Sequence, residues 1–171
     1  MRSPIRTLVC GMLALATACH HRSKPVAQPA PAPVPATRPA EVMEPIGEDA
    51  RIYYDDATAF TDSLRMIIQD ADTWQSVWAR ATRRQATAPP LPAVDFERQT
   101  LLLVSAGRMR TGDEIHVDSI GTRGGRRLAV VRTIVQCQTV PAPAYPLEIV
   151  RVPRAAGAIT FIDRRVKSQD C

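Results

Sequence analysis

With 171 residues and 45% apolar content, the chain can bury one hydrophobic core but is short for several domains. Its formal charge of +5 shrinks to +2 from Gly47 onward, where 17 basic side chains stand against 15 acidic ones, so there is no electrostatic case for a nucleic-acid partner. Fifteen prolines are too many to spread evenly through a small globular fold, which points to a non-globular stretch.

That stretch lies near the N-terminus. Arg2 and Arg6 precede an apolar run from Leu8 to Ala18 that ends in small side chains, the pattern of a secretory signal. The run is too short to span a bilayer, because His20-His21-Arg22 stops it well below about 20 residues. Its end, Leu15-Ala16-Thr17-Ala18-Cys19, resembles a bacterial lipobox, with Leu15 one position further from the cysteine than usual and Ala16 in its slot. The resemblance implies cleavage before Cys19 and acylation of its sulfur. The same Ala-Thr-Ala triplet also suits an ordinary signal-peptidase cut after Ala18; a cysteine followed by a spacer favours lipidation. Residues 1–18 are therefore expected to be a signal peptide, and residues 19–46 a lipidated cysteine with a disordered Pro/Ala-rich tether. From Ser23 to Ile46 the tether holds seven prolines and five alanines, with no hydrophobic period. Proline fixes φ and removes a backbone donor, so an extended spacer is expected.

Residues 47–171 are expected to form a β-rich domain. Tyr53-Tyr54 and Leu64 to Gln69 read as strands. From Asp72 to Ala81, apolar side chains at i, i+3, i+4 and i+7 (Trp74, Val77, Trp78, Ala81) predict a helix capped by Asp72 or Thr73, with both tryptophans packed on a sheet. Pro89, Pro90 and Pro92 end any continuation. The run Thr100-Leu-Leu-Leu-Val104 suits a strand buried on both faces. Ile115, Val117 and Ile120 mark another strand, and Leu128 to Val135 its partner, with Gly121-Thr-Arg-Gly-Gly125 as the turn between them. Leu147 to Val152 and Ala158 to Ile162 complete six or seven strands. The predicted class is α+β, mainly antiparallel β, sandwich-like or an open sheet, with one short helix packed on it.

Cysteine usage fits an oxidising compartment. Once Cys10 leaves with the signal and Cys19 takes lipid, Cys137 and Cys171 remain and most simply form one disulfide that pins a polar tail from Lys167 onto the sheet.

Catalytic signatures are missing from the sequence: it has no HExxH, nucleophile elbow, phosphate loop or CxxC. His20 and His21 sit beside the anchor, and His116, between Ile115 and Val117, is expected to face solvent. Asp113 and Glu114 would point to opposite faces of a strand rather than form an acid pair. No catalytic, metal or cofactor site is expected. Two basic clusters, Arg123 to Arg127 and Arg80 to Arg84, read as solvated surface, with contact to an anionic envelope surface as the sharper alternative.

The order of features resembles a known family. Trp74-x3-Trp78 on a helix precedes Val94-Asp95-Phe96, an apolar strand ending at Gly107, Thr111-Gly112, alternating strands, and Tyr145-Pro146-Leu-Glu-Ile-Val-Arg-Val-Pro153. This series is similar to the C-terminal domain of PrcB-like protease-complex subunits over about Leu64 to Ile162. The resemblance implies an exported, often lipidated, noncatalytic partner of an envelope protease. Where the family favours a second glycine and an aromatic after Thr-Gly, this chain has Asp113, Glu114 and Ile115, so the loop is expected to present acidic chemistry.

The resulting expectation is a noncatalytic, exported lipoprotein, held to the membrane through Cys19, that binds a protein and partners or stabilises an exported protease. Its candidate contact residues are Gly107, Arg108, Arg110, Thr111, Gly112, Asp113 and Tyr145. The alternatives are a protease inhibitor acting through the same loops, and a hydrolase built on His116 near acids or a nucleophile.

Overall fold

The computed structural model describes residues 42–138, 140–154, 156–169 and 171. Residues 1–41, which include the expected signal segment, Cys19 and most of the expected spacer, lie outside the described residues. The elements run β1 (Val42–Pro45), a short 3₁₀ turn (Glu48–Ala50), β2 (Arg51–Asp55), β3 (Ser63–Ile68), α1 (Ala71–Ala81), β4 (Gln99–Ala106), β5 (Met109–Arg110), β6 (Glu114–Arg123), β7 (Arg126–Val135), β8 (Pro143–Ala144), β9 (Leu147–Pro153) and β10 (Ile159–Lys167). Two four-stranded sheets, ordered β1-β6-β7-β10 and β2-β9-β4-β3, and the small ribbon β5-β8 organise these strands. All strand pairs are antiparallel except β7 with β10. The fold is α+β with mainly antiparallel strands and one helix, as the sequence predicts.

The apolar run in β4 explains the layering. Leu101 and Leu103 point to one face, where they meet Trp74, Val77, Trp78 and Ala81 of α1 together with Phe60, Ile68, Leu147 and Ile149. Leu102 and Val104 point to the other face, where Val150 and Val152 join them against Ile115, Val117, Ile120, Ala129 and Val131 of the second sheet. Alternation along a strand buried on both faces thus builds two cores, one beneath the helix and one between the sheets.

Helix α1 starts one turn-defining residue earlier than the sequence suggests. Asp70, rather than Asp72 or Thr73, is the cap, and its carboxylate accepts from the Thr73 backbone N–H at 2.8 Å. That bond lowers the Asp70 pKa from its ordinary value. The proline-rich segment that follows folds back over the helix. Trp74 Nε1 donates to the Pro92 carbonyl at 3.0 Å and Trp78 Nε1 to the Pro89 carbonyl at 3.1 Å. A proline keeps its acceptor while lacking a donor, so this segment can satisfy both indoles without leaving N–H groups of its own unpaired.

Three elements differ from the sequence reading. Val42–Pro45, assigned to the spacer, pairs with β6 from Thr122 to Ser119. Gly121 permits that approach: a Cβ there would stand 1.9 Å from the Val42 carbonyl oxygen. The expected turn from Gly121 to Gly125 shrinks to Gly124-Gly125, because β6 and β7 stay paired out to Arg123 and Arg126. Strand β10 continues past Ile162 to Lys167, paired with Val135, so the tail is laddered almost to its end.

Cys137 and Cys171 are disulfide-bonded, with their Cα atoms 5.4 Å apart and a sequence separation of 34. Since β10 is already held by β7, the bond acts chiefly by restricting the unfolded chain. Replacing both cysteines with serine is expected to lower stability by about 2–4 kcal/mol. Urea unfolding of the oxidised protein and of the double variant measures this, and a difference below about 1 kcal/mol would refute it.

Candidate functional site

The two loops singled out in the sequence meet. Met109–Arg110 pairs with Pro143–Ala144, so the loop after β4 and the loop before β9 form one ribbon at an end of the sandwich. Thr111 ties them further, donating from both its backbone N–H (3.0 Å) and its hydroxyl (3.1 Å) to the Ala142 carbonyl. A cleft of about 440 Å³ opens beside the ribbon, lined by Arg108, Met109, Arg110, Asp113, Pro141, Ala142, Pro143 and Arg165.

Within this cleft the candidate residues divide by role. Arg108 is exposed, and Arg165 arrives from β10. Arg110 is half committed: its guanidinium donates to the Gln136 carbonyl at 3.0 Å and lies 3.5 Å from the Asp113 carboxylate. Asp113 is only 3% exposed. It accepts from the backbone N–H groups of Gln136 (2.9 Å) and Arg110 (3.3 Å). The expected acidic loop chemistry is therefore corrected: the Asp113 carboxylate is turned inward to stitch the loop to the end of β7, and arginine dominates the outer rim. Gly107 is also structural. It is buried with φ of 71°, and a Cβ would stand 2.7 Å from the Ser63 backbone nitrogen. Gly112, with φ of 94°, makes the turn into β6.

Tyr145 belongs elsewhere. Its backbone N–H donates to the Asp56 carbonyl at 2.6 Å, its carbonyl accepts from the Thr58 hydroxyl at 3.0 Å, and its ring lies 5.1 Å from the Arg84 guanidinium. It fastens the segment after β2 to β9 instead of lining the cleft.

A second constellation, missed in the sequence reading, surrounds Glu148 of β9. This carboxylate is 1% exposed. It accepts from the Val117 backbone N–H at 2.6 Å, lies 3.0 Å from His116 Nδ1, and pairs with the Arg51 guanidinium. His116 Nε2 is 2.9 Å from Glu114, and the imidazole stacks on Tyr54 with centroids 5.3 Å apart. The expectation that His116 faces solvent is corrected, since its side chain is 22% exposed. Strand β1 ends at Pro45, leaving the Val117 N–H on β6 to be met by a side chain from the other sheet. One charged strand residue thus joins both sheets and β2. A carboxylate in the otherwise apolar run Leu147 to Val152 was the available signal, because a buried charge requires partners.

The Glu148 hydrogen bond raises the His116 pKa from its ordinary value, with help from Glu114 and against desolvation. A histidine whose folded pKa lies above its unfolded one contributes stability that is fully present below the unfolded pKa, near 6.5. That contribution is lost as pH rises through the folded pKa. Thermal unfolding between pH 6 and 9 is expected to show a decline in stability that His116→Phe flattens; identical slopes for both proteins would contradict it. Chemically, each ring nitrogen is engaged by a carboxylate, an arrangement that holds a proton rather than activates a hydroxyl or thiol.

Among the described residues no group of three or more His, Cys, Asp or Glu side chains is placed to hold a metal ion, and no helix is long and apolar enough to cross a membrane. Comparison of the chain with known protein families, characterised proteins and solved structures gives no match.

Proposed function

We propose that the chain is a noncatalytic, envelope-tethered module that docks a partner protein through the β5-β8 end of its sandwich. On the sequence resemblance to PrcB-like subunits, that partner is an exported protease. The observation carrying the reading is the ribbon itself. Two loops far apart in sequence are locked together by backbone pairing and by the inward Asp113, which leaves Arg108, Arg165 and the Pro141–Pro143 segment around one shallow cleft. Loops fixed on a rigid sheet suit recognition, since little freedom is lost on binding. Occupation of both His116 nitrogens supports a noncatalytic role.

Photocrosslinking in the envelope of producing cells tests this. A crosslinker at position 108 is expected to trap a protease that a crosslinker at position 83, near the helix end, does not trap. Arg108→Glu combined with Arg165→Glu is expected to abolish capture without changing the melting temperature. Equal trapping from both positions, or none from position 108, overturns the proposal. Stoichiometric loss of the trapped protease's activity would identify inhibition as the mode of action.

A further inference from the structure

Strand β3 is the edge of its sheet. It ladders with β4 on one side, and no described strand pairs with its other side. Only Gln69 and Asp70 separate it from α1, so the helix runs back alongside it, with Asp72 toward the Ile68 end and Arg80 toward the Ser63 end. Phe60, just before β3, fits that direction: the Arg80 guanidinium lies 4.1 Å from its ring centroid. Between helix and edge lies an open groove of about 470 Å³. Phe60, Met66 and Val77 supply its apolar surface, and Thr73 and Ser76 flank it on the helix. Asp72 and Arg80 line its opposite ends, about 12 Å apart along the helix at roughly 1.5 Å per residue. Arg80 is exposed, and its charge meets no carboxylate among the described residues.

We infer that this groove binds the C-terminal end of an extended peptide from a partner protein, added antiparallel to β3 with its terminal carboxylate on Arg80. An edge strand leaves backbone donors and acceptors along its free side, and an extended segment satisfies them by continuing the ladder. Every second side chain of such a segment points toward the helix, where the apolar groove receives it. The order of charges sets the direction. Antiparallel addition brings the peptide's end to Arg80, whereas parallel addition would press a carboxylate against Asp72. A guanidinium can meet a carboxylate with two parallel N–H···O bonds, and stacking on Phe60 holds this one in place. About four extended residues cover the distance between the two charges. The groove shares no lining residue with the Arg108 cleft, so it is a second and independent binding site.

Panning the purified full chain against a library of random heptapeptides with free C-termini tests the idea. Peptides ending in apolar residues are expected to be enriched. Fluorescence polarisation of a selected peptide should show binding weakened roughly tenfold or more when its terminal carboxylate is amidated, the loss of one charge-assisted contact. Arg80→Glu should weaken the free-acid peptide at least as much. Ser76→Trp, at an exposed position on the groove's helix side, should block binding by filling the groove, which keeps the test decisive if Arg80→Glu disturbs the packing over Phe60. Arg83→Glu makes the same charge change at an exposed position outside the groove and should leave affinity unchanged. No enrichment, binding that survives amidation, equal loss in Arg80→Glu and Arg83→Glu, or full affinity in Ser76→Trp overturns the inference.

Discussion

Glu148→Ala is expected to destabilise the domain by about 3–5 kcal/mol, as removal of one partner from a buried ion pair does. The carboxylate satisfies the Val117 backbone N–H, the Arg51 guanidinium and His116 together. Without it, a donor on β6 loses its acceptor at the junction of the two sheets, and the Arg51 cation on β2 keeps only the exposed Glu48 carboxylate, 3.6 Å away. Arg51 retains some access to water, with 25% of its side chain exposed, which places the loss toward the lower end of that range. Glu148→Gln keeps an acceptor oxygen for Val117 but not the charge, so a smaller loss of about 1–3 kcal/mol is expected. Pairing Glu148→Met with Arg51→Met should recover much of the deficit, because it removes both charges at once. Urea unfolding at pH 7 measures all three. A loss under 1 kcal/mol for Glu148→Ala would mean that water replaces the carboxylate and that the cluster is peripheral to stability. The same variant should lose the pH dependence assigned to His116, since Glu148 is the main cause of its raised pKa.

This cluster also marks a boundary of what the sequence discloses. Periodicity revealed the helix, because four apolar side chains on one face are a local pattern. It also revealed β4, because a continuous apolar run leaves few alternatives to burial on both faces. Strand β1 was hidden by composition. Its pairing with β6 is made by backbone groups and depends on Gly121, some 75 residues away, so nothing local to Val42–Pro45 announces it. Strands β5 and β8 are two residues each and exist only through one another. The loops of the candidate site were identifiable as Gly- and Pro-containing segments, but their joining was not, and neither was the division of labour within them. Asp113 looks like a surface acid until the Gln136 and Arg110 N–H groups are seen to enclose it. Tyr145 resembles an exposed recognition aromatic, yet its backbone is consumed by Asp56 and Thr58. Side-chain roles of this kind depend on long-range register, which hydrophobic pattern alone does not specify.

Trp74→Ala is the second large effect, expected to cost about 3–5 kcal/mol. The indole is fully buried between α1 and the sheet, packed with Trp78 at 5.2 Å between ring centroids, and closed on its polar edge by the Pro92 carbonyl. Truncation opens a cavity beneath the only α-helix among the described residues and frees the Pro89–Pro92 segment from one of its two anchors. A domain of this size has about 5–15 kcal/mol in total, so the variant should unfold at markedly lower temperature. Trp74→Phe separates packing from hydrogen bonding: it retains much of the ring but leaves the Pro92 carbonyl without its donor, and about 1–2 kcal/mol is expected. The second core, between the sheets, contains neither tryptophan. Hydrogen exchange should therefore show protection in Trp74→Ala falling first in α1 and the segment that covers it, before β6 and β7. Uniform loss of protection would show that the helix layer and the inter-sheet core unfold as one unit, and a loss of stability below 1 kcal/mol would show that the helix face repacks without its tryptophan.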